Sequence, residues 1–176
     1  RIGICERILQ GRSVEGGIEV SGEGCSRFIP TMRQESPQNL QDGREMCLSI
    51  SDFVPAERTG PFGVFAISVT SEHPAGCTCG CNHGSDYEGM MDRAVRVTLA
   101  EAASSWLNAQ LEGMTAGSAV RIVKPAAGYA CCPDHTLKKD IMEMLPESGR
   151  LRISFTESFA MMPDASICGF IFAHPE

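Results

Sequence analysis

Twelve consecutive residues, Lys124-Pro-Ala-Ala-Gly-Tyr-Ala-Cys-Cys-Pro-Asp-His135, interrupt regular secondary structure and so divide the chain. Each of the two prolines fixes φ and lacks a backbone N–H, and the glycine between them opens left-handed backbone. A short strand over residues 119–123 leads into this run. Asp134 stands where it can cap a helix after it, with Leu137, Ile141, Met144 and Leu145 as apolar stripe and Pro146 as stop. The segment also holds one of two tyrosines, one of four histidines and one of only three lysines. A loop that merely connects two elements needs none of this. A backbone shaped to approach a ligand closely does.

Around this division the apolar pattern alternates between strand and helix periods. Residues 1–24 read as a hairpin, with Ile2, Ile4 and Ile8 at even spacing and Gly16-Gly17 as punctuation. Residues 26–50 are ambiguous, and 28–40 have room for a short helix. Residues 52–55 form a turn, and 62–70 a strand with Phe65, Ile67 and Val69 on one face. Ser85-Asp-Tyr-Glu88 has capping-box spacing. After it Met91, Val95, Leu99, Ala102 and Trp106 recur at helical spacing to about Leu111, with Gly113 as the stop. Leu151, Ile153 and Phe155 alternate as a half-buried strand. Residues 167–173 are nearly all apolar, the pattern of a strand buried on both faces. No repeat, linker or composition break appears. The expectation is one α+β domain over 1–176, a largely antiparallel β-sheet with two main helices packed on it.

Hydrophobic residues make up 43% and charged residues 21% of the 176, as in an ordinary globular protein. A net charge of −7 without a basic run argues against nucleic acid and anionic membrane as partners. No apolar stretch reaches the roughly 20 residues of a membrane span, and the first residues lack a signal-peptide core. Nine cysteines, an odd number at uneven spacing, fit a reducing cytoplasm and free thiols. Cys77, Cys79, Cys81 and His83 are the one cluster with metal-ligand chemistry, for zinc or an iron–sulfur centre. Their spacing is not that of a structural zinc knuckle, so reduced loop thiols are the preferred reading.

The 124–135 run resembles the signature loop of the activation domain of vitamin B12-dependent methionine synthase. Thr156-Glu-Ser-Phe-Ala-Met-Met-Pro163, Ser166-x-x-Gly169 and His174-Pro175 resemble that family's next block, in the same order. Asp86-Tyr87 with Leu99-Ala-Glu-Ala102 resembles its long helix; Met32-Arg-Gln and Ser51-Asp-Phe-Val54 fit weaker blocks. The resemblance implies a module that binds S-adenosylmethionine for reductive remethylation of cob(II)alamin. The cobalamin is carried by a partner module, and a flavodoxin-type protein supplies the electron. Such a domain is an accessory module of a methyltransferase system (5-methyltetrahydrofolate-homocysteine methyltransferase) in methionine biosynthesis. The cofactor carries the chemistry and the protein supplies position.

Carried over residue by residue, the family loop puts a cation at Lys124, a small residue at Ala126 and a Gly-Tyr pair at Gly128 and Tyr129. Glu101 matches an acidic position on the long helix, and His135 the histidine that faces the corrinoid. The chemistry agrees: a cation suits a carboxylate, Glu101 an ammonium, and a tyrosine gives an aromatic wall. Two departures stand out. The family usually has Arg where this chain has Lys124, which lacks the planar fork. The family's Asp before residue 1 and Tyr beyond His174-Pro175 lie outside the sequence. Bland alternatives stay open: Lys124 solvated, Tyr129 capping the core, Gly128 serving a turn, His135 merely starting a helix. So do two other functions, a stand-alone corrinoid-protein partner that no longer binds S-adenosylmethionine, and a metal or redox protein using Cys77 to His83.

Overall fold

The computed structural model describes residues 1–39, 43–71 and 86–175. The elements run β1 (Ile2–Val14), β2 (Gly17–Gly22), β3 (Cys25–Pro30), β4 (Gln38–Asn39), β5 (Glu45–Met46), β6 (Gly60–Val69), α1 (Asp86–Met114), β7 (Val120–Val123), α2 (Leu137–Met144), β8 (Ser154–Phe155), β9 (Met161–Met162) and β10 (Ser166–Pro175). Six of them form one sheet in the order β3-β2-β1-β6-β10-β7. Every neighbouring pair in it is antiparallel. The expected α+β architecture is what the chain adopts.

The sheet is buried on both faces at its centre, which is why β6 and β10 read as nearly continuous apolar runs. Along β6, Val64 and Ala66 join a core completed by Leu137, Ile141 and Met144 of α2. Phe65 and Ile67 point the other way, onto Ala103, Leu107 and Leu111 of α1. The sheet is thus sandwiched between a short helix and a long one.

Three local expectations are corrected. Residues 28–40 hold no helix among those described: β3 pairs along β2, burying Ile29 and exposing Phe28, so strand pairing overrides any helical preference. Residues 151–155 are not one strand. A 3-10 turn (Ser148–Leu151) ends at Arg152, held at φ 53°, and only Ser154–Phe155 pairs with Met161–Met162. Gly113 does not stop α1, which runs through it to Met114.

The fourth correction concerns the face of α1. Met91, Val95, Leu99 and Trp106 are exposed (39–54%), whereas Ala100, Ala103, Leu107 and Leu111 are buried. Both sets follow helical spacing, so periodicity alone cannot decide between them. The sheet takes the set with two alanines, which lets the helix axis lie close to the strands. Arg96 pins this orientation, bonding Asp92 at 2.8 Å and Asp164, just before β10, at 2.7 Å.

Candidate functional site

The 124–135 loop is built against the buried half of β10. Phe170 N donates to Pro125 O (3.0 Å), and Ala126 bridges Gly169 across β10. A side chain at 169 would put its Cβ 2.4 Å from Pro125 O and 2.9 Å from Ala126 Cα, so only glycine lets the two backbones touch. The loop then folds on itself. Gly128 N donates to Cys132 O and Cys132 N to Tyr129 O, both at 2.8 Å. Gly128 has φ +103°, which disfavours any other residue. Ala127 and Cys132 turn into the core, and burial is the main cause pushing the Cys132 and Cys168 thiols up to about 12. Asp134 Oδ1 accepts from Thr136 N (2.8 Å) and so caps the turn leading into α2, two residues before the helix N-cap, Thr136.

Between this loop and α1 lies a groove of about 320 Å³. It is lined by Glu101 and Ser104 from the helix, by Lys124, Ala126 and Tyr129 from the loop, and by Phe65 from β6. Lys124 Nζ donates to Ser104 O at 2.6 Å, lies 3.4 Å from Ser104 Oγ, and sits 5.2 Å above the Phe65 ring. Burial pushes its ammonium below the ordinary lysine value, against an opposing pull from Glu112. Glu101, one turn before Ser104, is exposed rather than partly buried, and Tyr129 is 68% exposed. Neither residue is used up by the core.

Four of the expected residues therefore meet in one groove: Glu101, Lys124, Ala126 and Tyr129. Gly128 and His135 do not line it. They form the loop's other side, where a Cβ on Gly128 would lie 2.4 Å from His135 Cε1. His135 Nδ1 lies 2.9 Å from Nζ of Lys138, which also donates to Phe159 O at 3.0 Å. Sequence reasoning missed Phe65, Ser104 and Lys138. Ser104 was findable, since it stands three residues after Glu101 on the same helical face. Phe65 comes from a strand distant in sequence, and no local pattern points to it.

Cys77, Cys79, Cys81 and His83 lie outside the described residues, as does Ser85 of the capping box. Among the described residues no group of three or more His, Cys, Asp or Glu is placed to hold a metal. A second cavity of equal volume is lined by Arg1, Arg96, Arg150 and Arg152. Four guanidiniums suit an anion, not a sulfonium-bearing ligand with net positive charge.

The model of the family described as "Vitamin B12 dependent methionine synthase, activation domain" matches residues 6–176. The chain is also similar to a solved structure, the crystal structure of the MetH reactivation domain bound to AdoHcy. The two are 26% identical with a TM-score of 0.78 over 97% of this chain. This chain spans 58% of the length of that one.

Proposed function

The chain belongs to the family of vitamin B12-dependent methionine synthase activation domains, and from that membership we propose that its groove binds S-adenosylmethionine for reactivation of a cobalamin held by a partner module. The observation carrying this reading is the pairing of opposite charges across the groove. Lys124 offers an ammonium to the ligand's α-carboxylate, and Glu101 a carboxylate to its α-ammonium. Tyr129 gives the adenosine an aromatic wall, and Ala126 leaves room beside it. Gly128, on the loop's other side, supplies the left-handed turn that sets Ala126 and Tyr129 along the groove. AdoHcy, bound in the related structure, shares the amino-acid and adenosine parts of this ligand.

The corrinoid supplies methyl-acceptor chemistry when bound. The residues of this chain only bind, orient and exclude water: the groove fixes the sulfonium end, and His135, behind the loop, faces the partner. A flavodoxin-type electron donor and a cytoplasmic setting belong to the same proposal. Among the described residues no helix is long and apolar enough to cross a membrane.

Isothermal titration with S-adenosylmethionine tests the proposal. Saturable heat is expected, and none at millimolar ligand overturns it. Lys124→Met should weaken binding about 10–100-fold, the worth of a charge-assisted hydrogen bond of about 1.5–3 kcal/mol. In the wild type, affinity should fall as pH rises through the depressed lysine value, below its ordinary 10.5, because the anchoring charge is then lost. A second reading has one observation in its favour. Lys124 already donates to Ser104, which suits a corrinoid-protein partner that no longer binds the ligand. Co-precipitation with a cobalamin-carrying protein that ignores S-adenosylmethionine would favour it.

A further inference from the structure

Lys138 is 7% exposed. Among the described residues no carboxylate lies within ion-pair distance of it; its Nζ donates to Phe159 O at 3.0 Å and lies 2.9 Å from His135 Nδ1. An unpaired ammonium taken out of water is costly, and an apolar side chain of equal size would fill the space without that cost. The acceptor on the other side is strained as well. Phe159 is a bulky residue at φ 58°, a conformation that is unfavourable and persists only where its surroundings hold it. They do: Phe159 N donates to Thr156 O (3.0 Å), Thr156 N to Ala160 O (3.0 Å) and Ala160 N to Thr156 Oγ1 (3.1 Å). Desolvation and strain thus converge on Lys138, whose ammonium lies between the Phe159 carbonyl and the His135 ring. Stability gives no reason for that arrangement; orientation of the ring does.

We propose that Lys138 is a positioning residue for His135, with its buried ammonium holding the imidazole over Gly128. An ammonium has only donors, so Nδ1 must be the acceptor and Nε2 carries the proton. His135 therefore offers one defined donor to whatever faces it. Gly128 leaves the space the ring occupies, and the 156–160 turn supplies the carbonyl that fixes Lys138. The inference rests on the reading of His135 as the residue facing the corrinoid.

Two measurements test it separately. In isotope-labelled wild-type protein at pH 9, where an ordinary imidazole is neutral, the His135 ring nitrogens should report one tautomer. Nδ1 should be an unprotonated, hydrogen-bonded acceptor. A ring protonated at Nδ1, or a tautomer mixture, overturns the proposal with no variant needed. Lys138→Met, of similar volume, should release the ring into a mixture. The second measurement is methyl transfer to a cobalamin-carrying module by wild type, Lys138→Met, His135→Ala and the double variant. Lys138→Met should slow transfer at least ten-fold while the S-adenosylmethionine Kd stays within two-fold. The double variant should be no slower than His135→Ala, because Lys138 acts through that ring. Multiplication of the two single losses overturns the proposal. Full activity of His135→Ala would instead remove the corrinoid-facing reading, and the ring spectrum would still decide the role of Lys138.

Discussion

The two helices on opposite faces of the sheet obey different rules. α2 has eight residues, and its apolar stripe goes wholly inward: Leu137, Ile141 and Met144 are each 2% exposed or less. α1 has 29 residues and a weaker one-sided pattern: Met91, Val95, Leu99 and Trp106 face outward, Leu107 and Leu111 inward. A short helix has only one apolar face to offer, so pattern and packing agree. A long helix with apolar residues on two sides is oriented by what it meets. Here that is the sheet face bearing Phe65 and Ile67, the Arg96–Asp164 pin and the groove that Glu101 and Ser104 line. Turning Met91, Val95 and Leu99 inward would carry Arg96 and Ser104 away from their partners.

Mutations can break or sharpen this contrast. The largest effect is expected for Ile141→Ala, which should lower unfolding stability by about 2–5 kcal/mol in urea titration, as for any fully enclosed aliphatic side chain. Leu107→Ala, on the inward face of α1, should fall at the lower end of that range, since only one layer of helix covers it. A loss equal to that of a surface site would mean that α1 packs by its other stripe.

Asp164→Asn should act next, chiefly on the acid limb. Burial raises the Asp164 carboxyl, but the Arg96 hydrogen bond and the charges of Arg96 and Arg93 outweigh it and hold the carboxyl below its usual value. A depressed carboxylate stabilises the fold above the unfolded value of about 3.9, and that stability is lost as pH falls through the folded value. The variant should therefore be less stable near neutrality and lose less between pH 5 and pH 2 in thermal melts. An unchanged acid limb would mean that the pin does not hold α1. The smallest effect belongs to Leu99→Ala, within about 0.5 kcal/mol as for an exposed position. A larger loss would reveal a partner covering that face.

What the sequence disclosed follows the same division. β6, β10 and α2 were legible because both their faces, or their single stripe, are decided by apolar residues. The groove residues of the loop were legible through chemistry that core packing does not require, and Glu101 through the family resemblance. The orientation of α1 was not, because two sets of residues satisfy one period. Residues 28–30 and 152 were not, because a neighbouring strand and a left-handed residue override local preference. Lys138 was hidden inside a helical pattern that accounts for a lysine without giving it a task.

The bond from Phe170 N to Pro125 O ties the 124–135 loop to β10, the strand beside β6 in the sheet. Phe170 is fully buried, so its amide exchanges with solvent only when this bond breaks and the loop leaves the strand. Exchange of that one amide therefore times the loop's own detachment at this end. While the bond holds, the groove wall is already ordered by the strand behind it, and whatever enters the groove meets no further ordering cost there.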